Sequence, residues 1–144
     1  VGAIGMIILI IAAGGAFSQV LKDSLVNEYI AGIASTISFN PLILSFCVAA
    51  IIRLAVGSAT VATMTAAPIM VPLAQQSGIP PELMVLATGS GSLMFSHFND
   101  IGFWMFKEYY NVSIKHTFLI WTVMESIVAI VGLLCALLLN MIIG

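Results

Sequence analysis

Phe95-Ser96-His97-Phe98-Asn99-Asp100-Ile101-Gly102-Phe103-Trp104 sets a His, an Asn and an Asp inside an apolar run that begins near Leu83 and ends near Phe106. The run has about the length that crosses a bilayer as a helix. Its centre, however, reads Thr88-Gly89-Ser90-Gly91-Ser92 before the polar cluster arrives. Glycine loosens a helix, and an ionised carboxylate facing hydrocarbon is costly. The pattern therefore predicts a membrane helix broken at mid-depth over 83–106, with its freed backbone groups and polar side chains lining a cavity rather than lipid. Membrane segments broken in this way usually hold a solute or an ion.

Composition supports the membrane reading. Of the 144 residues 61% are hydrophobic and 7% charged, against roughly a quarter charged in an ordinary soluble domain. Four basic residues against six acidic ones leave no electrostatic footprint for nucleic acid. The chain opens on Val1 inside an apolar run without a basic leader, so it does not read as a signal peptide and suits a piece of a longer protein. Cys47 and Cys135 both fall within apolar segments, where a thiol behaves as a small hydrophobe, so neither a disulfide nor a metal is expected.

The rest of the chain reads as helices. Residues 1–17 carry no charge and suit a first spanning helix. Residues 18–38, with Lys22, Asp23, Asn27, Glu28 and Tyr29, read either as an interfacial helix or as a plain extramembrane connection. Asn40-Pro41 marks a helix start, Asn as cap and Pro at the first helical position. From Asn40 to Ala74 the helical length is about 50 Å, too long for one crossing of a core about 30 Å thick. The small hydroxyl-rich break Gly57-Ser58-Ala59-Thr60 allows one long kinked crossing or a re-entrant hairpin over 40–75 with its tip at 57–60. The hairpin fits the length better. Gln75 to Glu82, with Gly78, Pro80 and Pro81, is a turn, and residues 117–143 form the clearest spanning helix. Lys107 and Lys115 flank one loop, which the positive-inside rule places in the cytoplasm, with the 75–82 turn and the C-terminus outside.

Three groups of side chains carry possible chemistry. Arg53, the one arginine, is always protonated and falls about a turn before the hydroxyl-rich tip, where it can pair with a substrate carboxylate or with a structural acid. The tip, with Ser58 and Thr60, offers hydroxyls and the amides of a helix start, which attract anions. The alternative is close helix packing through small residues, the reading preferred for Thr63 and Thr65. His97, Asn99 and Asp100 supply an imidazole and a carboxylate suited to a proton relay, or a buried network that only fixes the break. As a metal site His97 and Asp100 lack further ligands at a recognised spacing. Glu125 reads as structural, reaching an interface near Lys115 or His116. There is no nucleophile elbow, phosphate-binding loop or cysteine pair.

Arg53-Leu54-Ala55-Val56-Gly57-Ser58-Ala59-Thr60-Val61-Ala62-Thr63 and Ser96-His97-Phe98-Asn99-Asp100-Ile101-Gly102-Phe103-Trp104 resemble the C-terminal part of the gluconate permease family, the gluconate and related sugar-acid:proton symporters. Gly15-Ala16-Phe17-Ser18-Gln19-Val20-Leu21 and Ser113-Ile114-Lys115-His116-Thr117-Phe118 extend the likeness over nearly the whole chain. The resemblance implies an all-α, multi-pass protein of the bacterial inner membrane, roughly three times this length, built from two inverted repeats of which this is the second. It implies that Ser58 and Thr60 sit at the hairpin tip and that Ser90 to Asp100 form the facing break; the polar groups at these two breaks lead to the expectation that Arg53, Gly57, Ser58, Thr60, Ser90, Ser92 and Asn99 bind a sugar acid, while His97 or Asp100 carries the proton. Where sodium-coupled relatives look like Ser-Asn-Thr, this tip reads Gly-Ser-Ala-Thr, so a proton is the expected coupling ion and no cofactor is expected. Expected partners are the sugar acid, the bilayer and the rest of its own chain, with association between copies left open. An intramembrane metal-dependent enzyme and a purely structural membrane subunit are the alternatives. One geometric expectation is sharp: Ser58 and Asn99 should face each other across a polar cavity.

Overall fold

A computed structural model describes residues 12, 16, 19, 20, 23 and 24 and then 39–143. The expected first spanning helix and interfacial helix at 1–17 and 18–38 lie, those few positions apart, outside the described residues. Everything described in regular structure is helical: α1 (Pro41–Val56), α2 (Ala59–Ser77), α3 (Pro81–Gly91), α4 (Ile101–Tyr110) and α5 (Ile114–Ile143).

Local signals explain the ends. Asn40 Oδ1 accepts from Leu42 N at 2.9 Å with Pro41 in the first turn, and α1 stops at Gly57, whose φ of 78° is left-handed and whose N–H returns to Arg53 O. That φ disfavours a residue with a Cβ. Ser58 at once caps the next helix, its Oγ accepting from Val61 N at 3.4 Å. Only two residues separate α1 from α2, and the pair folds back on itself: Leu42 at the start of α1 shares one buried cluster with Met70 and Leu73 late in α2, and with Leu83, Met84 and Ala87 of α3.

Close backbone approach holds this bundle. A Cβ on Gly91 would lie 2.2 Å from Phe46 O, and one on Gly132 would lie 2.3 Å from Ser90 Oγ, so glycine lets α3 approach both α1 and α5. Helices in a bilayer associate through such van der Waals contact and interhelical hydrogen bonds, because lipid removes the hydrophobic drive between them. One such bond is buried: Ser45 Oγ of α1 and Thr88 Oγ1 of α3 lie 2.6 Å apart, and since Thr88 donates to Met84 O, Ser45 is the donor between them.

Between α3 and α4 the helix is interrupted over 92–100. Ser92 N–H still bonds Thr88 O, Leu93 and Met94 turn tightly after it, and Phe95 adopts a left-handed φ of 53°. Asp100 then caps α4, its Oδ1 accepting from Gly102 N at 2.9 Å. α5 is the one described helix long and apolar enough to cross a membrane. It contains a π-helical stretch, Phe118–Thr122, a form that often marks a functional site. Trp121 and Thr122 of that stretch hold the break, Trp121 Nε1 donating to Ser96 Oγ at 2.7 Å and Thr122 Oγ1 to Ser96 O at 2.5 Å.

Candidate functional site

The α1–α2 turn and the α3–α4 break meet directly. A Cβ on Gly57 would lie 2.2 Å from Asn99 O, and Asn99 Nδ2 donates to Leu54 O at 2.9 Å. Beside this contact lies a cavity of about 410 Å³, lined by Arg53, Gly57, Ser58 and Thr60 from the hairpin, Asn99 and Asp100 from the break, and Trp121 and Glu125 from α5 among others. Its volume falls within the roughly 300–1,000 Å³ of small-molecule sites.

An ion pair forms its charged wall. Arg53 is 3% exposed, and its Nη2 lies 2.6 Å from Asp100 Oδ2. Arg53 Nη1 also donates to Gly57 O, so the guanidinium ties the hairpin turn to the break. Asp100 accepts further bonds from Ser96 Oγ and Gly102 N. Arg53 Nε is buried without an acceptor among the described residues. The start of α2 lines the same cavity. The amides of Ala59 and Thr60 fall in a first turn, where N–H groups have no intrahelical acceptor and where the helix dipole favours negative charge. Glu125 reaches the same cavity from α5 and receives no hydrogen bond from a described residue.

Six of the nine residues singled out in the sequence come together: Arg53, Gly57, Ser58, Thr60, Asn99 and Asp100 all line the cavity, Ser58 and Asn99 among them. Ser90, Ser92 and His97 do not. Ser90 Oγ donates to Leu86 O and Ser92 Oγ to Gly89 O, each at 2.7 Å, so both hydroxyls serve the end of α3. The His97 ring turns back on the break, Nδ1 donating to Phe95 O at 2.9 Å and its edge meeting Phe98.

Two further residues line the cavity from α5. Glu125 is on the cavity wall beside Arg53 and Asp100, and among the described residues it pairs with neither Lys115 nor His116. Trp121 also lines the cavity while its indole N–H holds Ser96. A carboxylate in an apolar helix was the available signal for the first. Among the described residues no three His, Cys, Asp or Glu side chains gather as a metal site would need.

The GntP family permease model matches residues 1–142. The chain is 51% identical over 140 residues to a high-affinity gluconate transporter of Escherichia coli K12, covering 97% of this chain and 32% of that protein. It is 49% identical to the Gnt-II system L-idonate transporter of the same organism, over 97% of this chain and 32% of that one. To a gluconate permease of Bacillus subtilis it is 46% identical, over 99% of this chain and 32% of the relative. The chain thus spans about a third of the length of these curated relatives. No solved structure matches it.

Proposed function

This chain belongs to the GntP permease family, and on that premise we propose that, within a protein of its relatives' length, it forms part of a bacterial inner-membrane transporter that imports gluconate or a related sugar acid together with a proton. The observation that carries this reading is the cavity where a helix-hairpin turn meets a helix break, lined by a buried guanidinium and by the first turn of α2. In this reading the hairpin is re-entrant, its tip at 57–60 stands at mid-membrane, and the remaining length of such a protein supplies an inverted copy of the same elements.

The sugar acid's carboxylate sits at the start of α2, accepting from the Ala59 and Thr60 amides and the hydroxyls of Ser58 and Thr60, as anions do at helix N-termini. Arg53 supplies positive charge behind it, and its fixed donor fork suits a carboxylate better than a lysine would. The sugar hydroxyls lie toward Asn99. Asn99 Nδ2 gives one N–H to Leu54 O, which leaves its second N–H and its amide oxygen to meet them. His97, turned away, shapes the break. Names of relatives include both gluconate and L-idonate transporters, and discrimination between such acids rests on individual hydroxyl contacts.

The test is uptake of labelled gluconate by the full-length protein in vesicles, with a competition panel of sugar acids, neutral sugars and amino acids. Sugar acids should compete and glucose should not, and Thr60→Ala should raise the gluconate KM several-fold. Equal competition by glucose would refute carboxylate recognition in this cavity.

A further inference from the structure

We infer that Glu125 is the group that takes up the proton when the sugar acid enters, an assignment that rests on the proposed symport through this cavity. Charge and hydrogen bonding together single it out. The charged lining consists of Arg53, Asp100 and Glu125, one positive side chain and two carboxylates. A sugar acid adds a third negative charge in a space that a membrane shields from bulk water, where ionised groups without partners are costly. One proton delivered to the lining returns the site to its charge before binding.

Of the two carboxylates, Asp100 is poorly placed to take it. Its Oδ2 receives Arg53 Nη2 and Ser96 Oγ, and its Oδ1 receives Gly102 N. All three bonds favour the ionised form. A proton there would also leave the 3%-exposed Arg53 without its counter-ion and loosen the tie between the hairpin turn and the break. Glu125 accepts no hydrogen bond from a described residue while facing the cavity, so protonation breaks no bond among the described residues.

Among the described residues the groups around it do not compete. α1 contributes Arg53, and the break contributes Asp100, while His97 is turned to Phe95 O. α2 has no ionisable side chain, and the one in α3, Glu82, sits in its first turn, at the far end from the break. In α4, Lys107, Glu108, Tyr109 and Tyr110 fall at the end away from the break. Binding is then linked: a protonated Glu125 favours the anion, the anion favours the proton, and by reciprocity each promotes the other to the same degree. Departure of the sugar acid into the cell releases the proton. No bond other than O–H forms or breaks.

The experiment uses the full-length protein in liposomes with labelled gluconate. It reads accumulation under an imposed proton gradient, proton uptake on adding gluconate, and gluconate exchange at equal pH on both sides. In Glu125→Gln the accumulation ratio should fall to about 1 and gluconate-driven proton uptake should vanish, while exchange continues, because the cavity keeps its anion site but has lost the linkage. Glu125→Asp should retain accumulation with a shifted pH profile. Asp100→Asn should lose exchange as well. If Glu125→Gln accumulates gluconate as the wild type does, the assignment is overturned. It is equally overturned if Glu125→Asp loses exchange together with Glu125→Gln, since Glu125 is then a structural residue. Absence of gluconate-driven proton uptake in the wild type instead refutes the symport itself.

Discussion

Replacing Gly57 by Ala tests the contact between hairpin turn and helix break, and its effect has two independent parts. The first is conformational: Gly57 has φ 78°, and a residue with a Cβ in the left-handed region is disfavoured by about 1–2 kcal/mol. The second is steric. The added Cβ would lie 2.2 Å from Asn99 O and 2.7 Å from Asn99 Cγ, whereas ordinary contact begins at 3.4 Å. The carbonyl must therefore retreat by at least 1.2 Å (3.4 less 2.2), and overpacking of this kind costs about 1–3 kcal/mol. Together the loss is about 2–5 kcal/mol. Gly78 provides the control, since its φ is 69° but nothing lies within 4 Å of a Cβ placed there. Gly78→Ala should lose only the conformational part, about 1–2 kcal/mol. Denaturant unfolding of the two full-length variants in detergent measures the difference. Gluconate uptake should fall about a hundredfold for Gly57→Ala, as a comparable misplacement of roughly 1 Å does in a catalytic site, and little for Gly78→Ala. If Gly57→Ala is no more destabilising than Gly78→Ala, the turn and the break are not in contact and the cavity between them is wrongly drawn.

Two further substitutions probe the same architecture. Asp100→Asn should destabilise the protein by about 3–5 kcal/mol by leaving Arg53 buried without a counter-ion, whereas the double change Arg53→Met with Asp100→Leu should recover most of that loss yet transport nothing, by unfolding and uptake assays respectively. Gly132→Ala should cost about 1–3 kcal/mol, because its Cβ would lie 2.3 Å from Ser90 Oγ. Adding Ser90→Gly should restore most of the stability, since the obstructing atoms belong to one side chain.

The helix ends were legible because their chemistry is local. Asn40-Pro41 announces a start, Gly57 needs the left-handed region, and Ser58 caps α2. The interruption after Gly91 was legible from the same kind of signal, although Ser90 and Ser92 turn to their own helix carbonyls. Adjacency in sequence does not tell which way a hydroxyl points. His97 shows the same limit: two residues before Asn99 it shares the break but not the cavity. The Arg53–Asp100 pair could be anticipated only as an arginine in need of some partner, since its choice of Asp100 depends on the packing of α1 against the break. Glu125 was misplaced for a different reason. Its position along the last helix allows it to reach an interface, whereas its facing toward Arg53 and Asp100 follows from the packing of α5 against α3 and α1.

A structure of the full-length protein with gluconate bound tests the central claim most directly. The carboxylate should lie within about 3 Å of the first-turn amides of α2 and the hydroxyls of Ser58 and Thr60, with the sugar hydroxyls toward Asn99 and with Glu125 on the same cavity wall. Gluconate seated between other elements, with this cavity unoccupied, would contradict it.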